Sequence, residues 1–466
     1  MNRRILGIEL RRSAAPWAGV LVVVVAFGFL YSFSGPWGHS AEDWTEQWTN
    51  AAGWGRFLLN VLWPLVVGAG ALQGLRDHRS GVGELLSSTP RPVLHRALKT
   101  LGATAITLAA GYLVIFAVAA VQVVANEGYF HLGWVPTVLV GVLGMVAGAW
   151  LGIGVGRTLP SALTPPLLAL ASLVGITFLT LGSDPASSLG GAVPMRVSLL
   201  SPALSGVRDV FAVVSDRVSA GQAVWLVGMA ATGLLLATAS TARRRLVSLL
   251  PVAVGAAVAL AVLPADRAQT YVVDQAATEL VCQGRLCVTK MHEAQLATAG
   301  GQAEEALRLL AKLPDPPTGV REVVIAKSDT GVRPRSATEV TATFDDLDLG
   351  EVGAGKLTRR LVSGAGAPTC FGWGDSTTRD QYEKATRETI ARSVAASWFV
   401  DSYAPPHDTR NSDYPEYRES NDLAKRTWDS LRALPADEQL ARMTALRSVS
   451  LSCQGDQLDA LTGGAP

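Results

Sequence analysis

Two hydrophobicity patterns divide the chain. Up to Leu263, short charged clusters separate long uncharged apolar runs; from Asp266 onward charge recurs every few positions. A helix needs about 20 mostly apolar residues to cross a hydrocarbon core. Seven uncharged gaps reach that length: Arg12 to Glu42, Arg56 to Arg76, Lys99 to Glu127, Glu127 to Arg157, Arg157 to Asp184, Arg217 to Arg243 and Arg245 to Asp266. Within them the pattern predicts spans near 15–34, 57–75, 100–122, 136–156, 162–182, 222–241 and 246–263. The second and seventh are the shortest. The first, "APWAGVLVVVVAFGFLYSF", competes with a signal peptide, but it is too long for a signal core and lacks a clean small-residue cleavage site. A retained span is the better reading.

After the last span the periods change. Stretches 379–400, 303–313 and 436–449 have helical spacing. "REVVIAK" at 321–327 and "EVTATF" at 339–344 alternate like strands. "PDPPTG" at 314–319 and the stretch 404–417 read as loops. The expected fold is an α-helical polytopic membrane protein of about seven transmembrane helices, residues 1–264, followed by a mixed α/β soluble exterior domain, residues 265–466.

Charge sharpens this division. Residues 1–264 hold 17 Lys+Arg and 10 Asp+Glu, a net of +7; the remainder holds 23 and 29, a net of −6. Lys/Arg asymmetry in short loops sets orientation. With the N-terminus inside, inside segments carry 13 basic residues (1–14, 76–99, Arg157 and Arg243–Arg245) and outside loops carry 4. Seven spans then leave the C-terminal region outside a plasma membrane. All four cysteines, Cys282, Cys287, Cys370 and Cys453, fall in that region. An even set confined to one domain suits an oxidising exterior. Three pairings are open; closeness in sequence favours Cys282–Cys287, which leaves Cys370–Cys453. A metal site is the competing reading, but a lone C-x4-C without a second pair is weak for zinc.

Trp37, Trp44, Trp48 and Trp54 crowd the first outside loop, and indoles favour the headgroup level, so an interfacial anchor is expected there. The spans carry essentially no ionisable residues, the usual mark of a polar pathway. Span four instead carries Gly141, Gly144, Gly148, Gly152 and Gly156 on one small face suited to close helix packing, within the chain or against a second copy.

The loop between spans two and three, "RDHRSGVGELLSSTPRPVLHRALKT" at 76–100, is the most informative. A charged run (Arg76, Asp77, Arg79) precedes Gly81, then Glu84, Leu85 and Leu86, then Pro90–Arg91, and Lys99 opens the next span. Proline biases its predecessor away from helix, and a short amphipathic segment here can lie along the membrane surface and face a partner. This order resembles the membrane subunits of type-2 ATP-binding-cassette exporters. "NRRILGIELRR" at 2–12, with Arg3, Arg4, Arg11 and Arg12 around Ile5, Leu6 and Ile8, is similar to that family's amphipathic N-terminal helix. The resemblance covers about the first 264 residues.

It implies that 76–99 docks on a separate cytoplasmic ATPase. ATP and magnesium would bind that partner and no cofactor would bind this chain. It also implies a homodimer or a pairing with a related permease, in contact with membrane lipid. Two departures stand out. The family usually has six spans and ends near the sixth, whereas this chain has seven expected spans and about 200 further residues. A six-span core, 1–242, with a seventh span exporting the extra domain would reconcile them. Large actinobacterial permeases have a similar Cys-containing extension, a likeness that adds no function.

Two stretches come close to catalytic motifs. "GEVGAGKLT" at 350–358 supplies Gly350, Gly355 and Lys356 of a phosphate-binding loop, but Leu357 stands where the Mg²⁺-binding hydroxyl belongs and Thr358 comes one position late. "MHEAQLA" at 291–297 begins like a zinc-peptidase helix, but Leu296 replaces the second His. No G-x-S-x-G elbow occurs, and basic and aromatic residues are not interleaved as nucleic-acid binding requires. The reading is therefore a non-enzymatic permease subunit moving an amphiphilic substrate outward. The alternative is a membrane-anchored exterior binding or sensor protein without transport.

Overall fold

A computed structural model describes residues 15–32, 47–79, 93–183, 191–204, 210–324, 334–344, 355–371, 378–407 and 415–464. The chain forms two compact units, Met1–Val273 and Asp274–Pro466. The first unit takes in residues 265–273, which the charge pattern assigned to the exterior domain. The reason is a short antiparallel ladder: β1 (Ala212–Val214) pairs with β2 (Tyr271–Val273), with Val213 opposite Val272. That ladder ties the chain beyond the last apolar helix back to the membrane unit.

The first unit is helical: α1 (Ala15–Ser32), α2 (Trp48–Phe57), α3 (Leu59–Arg79), α4 (Val93–Ala125), α5 (Trp134–Thr158), α6 (Thr164–Ser183), the single turn α7 (Met195–Ser198), α8 (Asp216–Thr238), α9 (Ala242–Val247) and α10 (Leu250–Val262). Among the described residues five helices are long and apolar enough to cross a membrane: α4, α5, α6, α8 and the α9–α10 run taken as one. The chain is membrane-embedded on this count. Two of the seven expected spans differ from a single long helix among the described residues. The second is a bent pair, α2 and α3, meeting at 47°, and counting it gives six; the first holds the shorter apolar helix Pro16–Leu30.

Glycine determines how closely these helices pack. A Cβ on Gly152 would lie 2.2 Å from the Val67 carbonyl oxygen, and one on Gly156 equally close to that of Ala71. On the other side of α5, Gly233 of α8 lies against the Trp150 carbonyl. The small-residue face is therefore used inside the chain, with α3 and α8 packed backbone to backbone on α5. Tight approach of this kind replaces the hydrophobic driving force that is absent in lipid.

The second unit has a four-stranded sheet ordered β3 (Leu280–Gln283), β4 (Leu286–Thr289), β5 (Gly319–Glu322), β6 (Glu339–Ala342). The β3–β4 pair is antiparallel; the other two pairs are parallel. Parallel neighbours need a crossover, and α11 (Leu296–Leu310) lies on the β4–β5 connection. Around the sheet lie α12 (Lys356–Val362), α13 (Arg379–Val400), α14 (Pro415–Arg432), α15 (Ala436–Ser452) and α16 (Gln457–Thr462). Val288, Leu310, Val320, Leu361, Val394 and Leu446 are buried in one core.

Helix α13 starts where a reciprocal cap forms. Thr378 accepts from the Gln381 N–H and the Gln381 side chain accepts from the Thr378 N–H, satisfying two otherwise orphan donors. Stretch 404–417, read as loop, gives way at Pro415 to α14, whose proline occupies the first turn, where the missing N–H costs nothing. Two disulfides close this unit: Cys282–Cys287, joining directly opposite residues of the β3–β4 hairpin, and Cys370–Cys453. They fit an exterior location.

Candidate functional site

The segment implied to couple to a partner is bracketed by two helices. Arg76, Asp77 and Arg79 form the last turn of α3, and Lys99 lies in the second turn of α4. Gly81, Glu84, Leu85, Leu86, Pro90 and Arg91 lie outside the described residues, as do Arg3, Arg4, Arg11 and Arg12. Helix α4 has 33 residues, about 50 Å at 1.5 Å per residue. That exceeds a hydrocarbon core of about 30 Å, so its first turns, with His95, Arg96 and Lys99, extend beyond the apolar run. Further basic groups lie at other helix ends: Arg157 donates to the Ala237 carbonyl at 3.1 Å and Arg245 to the Thr158 carbonyl at 3.3 Å.

A cleft of about 630 Å³ opens between α1, α3 and α4. Its walls are apolar: Trp17 and Leu21 from α1, Leu65 from α3, Leu108 from α4. Trp17, near the start of α1, is 75% exposed. The polar groups lie together at one end. Thr104 Oγ1 is 3.4 Å from Gln73 Oε1, and Arg76 is one turn further along α3. Arg76 is exposed and makes no ion pair among the described residues.

Sequence reasoning missed the most buried charge. The charge pattern places Arg56 in the first outside loop, yet its side chain is wholly buried at the end of α2. Its Nε donates to the Pro202 carbonyl at 2.7 Å and Nη2 to Gln222 Oε1 at 2.9 Å. Gln222 in turn donates to the carbonyls of Leu199 at 2.9 Å and Ser201 at 3.0 Å. The network thus joins α2, α8 and the 199–202 turn. No carboxylate pairs with Arg56 among the described residues. Tyr112 lies beside it, its ring fitted against Gly55 and Gly141, where a Cβ would fall 2.8 and 2.2 Å from the phenol oxygen. The available signal was Gln222, the polar residue that opens the 222–241 span.

Trp48 also needs correction. It is 8% exposed rather than set at an interface, stacked on Trp134 at 5.2 Å and edge-on to Phe130 at 5.6 Å. For Trp48 the anchor reading fails because α2 folds inward and offers this indole an aromatic core. Trp37 and Trp44 lie outside the described residues.

The near-miss motifs have structural roles. Gly355 adopts φ +75° and caps α12, and Thr358 is buried with its hydroxyl donating to the Gln302 carbonyl at 3.1 Å. That hydroxyl is committed to the protein's own backbone. His292 is buried in a 3₁₀ turn, with Nδ1 2.6 Å from Glu322 Oε1 and 3.2 Å from Thr289 Oγ1. Glu322 also accepts from the Thr289 N–H at 2.5 Å. This pair ties the end of β4 to the end of β5. Among the described residues no three His, Cys, Asp or Glu side chains are grouped to hold a metal.

No family model, curated relative or solved structure matches the chain. The functional reading therefore rests on its own residues.

Proposed function

We propose that the chain is the membrane subunit of an exporter driven by a separate cytoplasmic ATP-binding-cassette ATPase, moving an amphiphilic substrate outward. The supporting observation is the extension of α4 beyond its apolar run, directly after the 80–92 segment that carries Glu84, Leu85, Leu86, Pro90 and Arg91. A rigid helix running continuously from a docking segment into the membrane transmits a partner's movement as a lever. The glycine-packed α3–α5–α8 layer would carry that movement onward, since closely packed backbones shift together. The N-terminus and the 76–99 segment are inside and the disulfide-bonded unit outside in this reading. The subunit works as a homodimer or beside a related permease.

The test is ATP-dependent export in inside-out vesicles of the native host, with Glu84→Lys and Pro90→Ala. Both variants should insert normally and export poorly. Unchanged export in both would remove the coupling role.

A membrane-anchored exterior binding or sensor protein is the second reading. It is favoured by the separate core of the exterior unit. It requires no ATPase, and the two readings part on that point.

A further inference from the structure

We propose that the cleft between α1, α3 and α4 binds a single anionic lipid-like amphiphile of the inner leaflet, its acyl chain along the apolar walls and its headgroup on Arg76. The placement in the inner leaflet rests on the orientation of the exporter reading; the binding itself does not.

Length, size and charge support this occupant. Along α3 the cleft runs from Leu62 to Arg76, 14 positions or about 21 Å of helix. One leaflet contributes about 15 Å of hydrocarbon, so the cleft spans one leaflet and reaches its headgroup level. A volume of about 630 Å³ is typical of small-molecule pockets. A three-turn helix about 10 Å across would fill about 1,000 Å³ or more, so the space fits a chain better than a helix from another copy.

The polar groups all lie at one end, as an amphiphile requires. Thr104 and Gln73 are mutual neighbours there, and the Arg76 guanidinium has no carboxylate partner among the described residues. A guanidinium binds phosphate or carboxylate by two parallel N–H bonds. Trp17 and Leu21 remain exposed on the α1 wall, leaving apolar area that a chain would cover.

The experiment uses the full chain purified in detergent without ATPase or ATP. It is incubated with equal amounts of the single-chain lipids oleoyl lysophosphatidylglycerol and oleoyl lysophosphatidylcholine, and retained lipid is quantified after size exclusion. The wild type should retain the anionic lipid about fivefold over the neutral one, the scale of one basic residue facing an anionic headgroup. Arg76→Gln should bring the ratio near one without lowering neutral-lipid retention. Ala69→Phe, which fills the cleft and leaves the charge, should lower retention of both. A wild-type ratio near one, or full retention in Ala69→Phe, would overturn the proposal. So would a changed oligomeric state in Ala69→Phe with unchanged lipid, which would assign the cleft to a second copy. Failure of an ATPase to co-purify would leave this result standing, because no partner enters the assay.

Discussion

Arg56 and Gln222, 166 positions apart, meet at 2.9 Å in the interior of the membrane unit. Gln222 places its oxygen on the guanidinium and its nitrogen on two backbone carbonyls. A hydrogen bond to a charged group is worth about 1.5–3 kcal/mol. Gln222→Leu is predicted to destabilise the detergent-purified protein by that order, because Arg56 remains buried with one partner fewer. The Arg56→Met, Gln222→Leu double variant should recover much of the loss, since removing both partners leaves no charge to satisfy. Thermal unfolding of the four proteins measures the coupling; additive losses would show that the pair does not act as a unit.

Close approach at α5 gives a sharper contrast. Gly152→Val must move the Val67 carbonyl and is expected to cost about 3 kcal/mol or more, seen as loss of monodisperse protein. Gly175 of α6 has nothing within 4 Å of an added Cβ. Gly175→Ala should be neutral or slightly stabilising, in line with helix propensity.

The two disulfides should differ in weight. Cross-link entropy grows with the loop closed. For sequence separations of 83 and 5 it gives about 4.5 and about 2 kcal/mol. Replacing Cys370 and Cys453 by Ser should therefore sensitise the exterior unit to protease in the full chain far more than replacing Cys282 and Cys287. The longer link also secures a buried carboxylate: Glu388 accepts from the Cys370 and Phe371 N–H groups at 2.7 and 2.8 Å. Equal sensitivity in the two variants would refute the loop-length account.

Acid should loosen the exterior unit in two steps. Burial holds the His407 imidazole below its usual range. The folded form therefore disfavours its charge, and stability falls as pH drops below about 6.5, the unfolded value. Burial pushes the Asp456 carboxyl up, but hydrogen bonds from Arg387 and the Asp459 and Leu458 N–H groups outweigh it and leave it low. Its contribution is present above about pH 4 and is lost as pH falls through its lower folded value. Unfolding midpoints of the full chain from pH 8 to 3 should show both steps, and His407→Asn should flatten only the first.

Legibility followed from how local each cause is. The apolar runs of α4, α5, α6 and α8 are one-dimensional signals, and so is the helical spacing of 379–400. Arg56 was not legible, because its burial depends on Pro202 and Gln222, which reach it only through the fold. The same holds for Trp48, whose neighbours Phe116, Phe130 and Trp134 come from α4 and α5 and the turn between them. The break at Leu58 hides in "WTNAAGWGRF", a stretch too mixed to read as part of a span. Helix α14 was missed because its polar residues resemble a loop until their spacing is weighed. The order of the strands was not readable, since parallel pairing is set by the crossover. Of the segment proposed to couple to an ATPase, the sequence carries the residues and the structure describes the helices on either side.

Coupling of an ATPase to this chain through residues 76–99 is the proposal on which transport depends. The direct measurement is mild-detergent co-purification of the tagged full chain from its native host, with partners identified by mass spectrometry. An ATP-binding-cassette ATPase should come with the wild type and be lost when 76–99 is replaced by a neutral linker in a chain that still inserts. An intact, correctly inserted wild-type preparation without such an ATPase would contradict it.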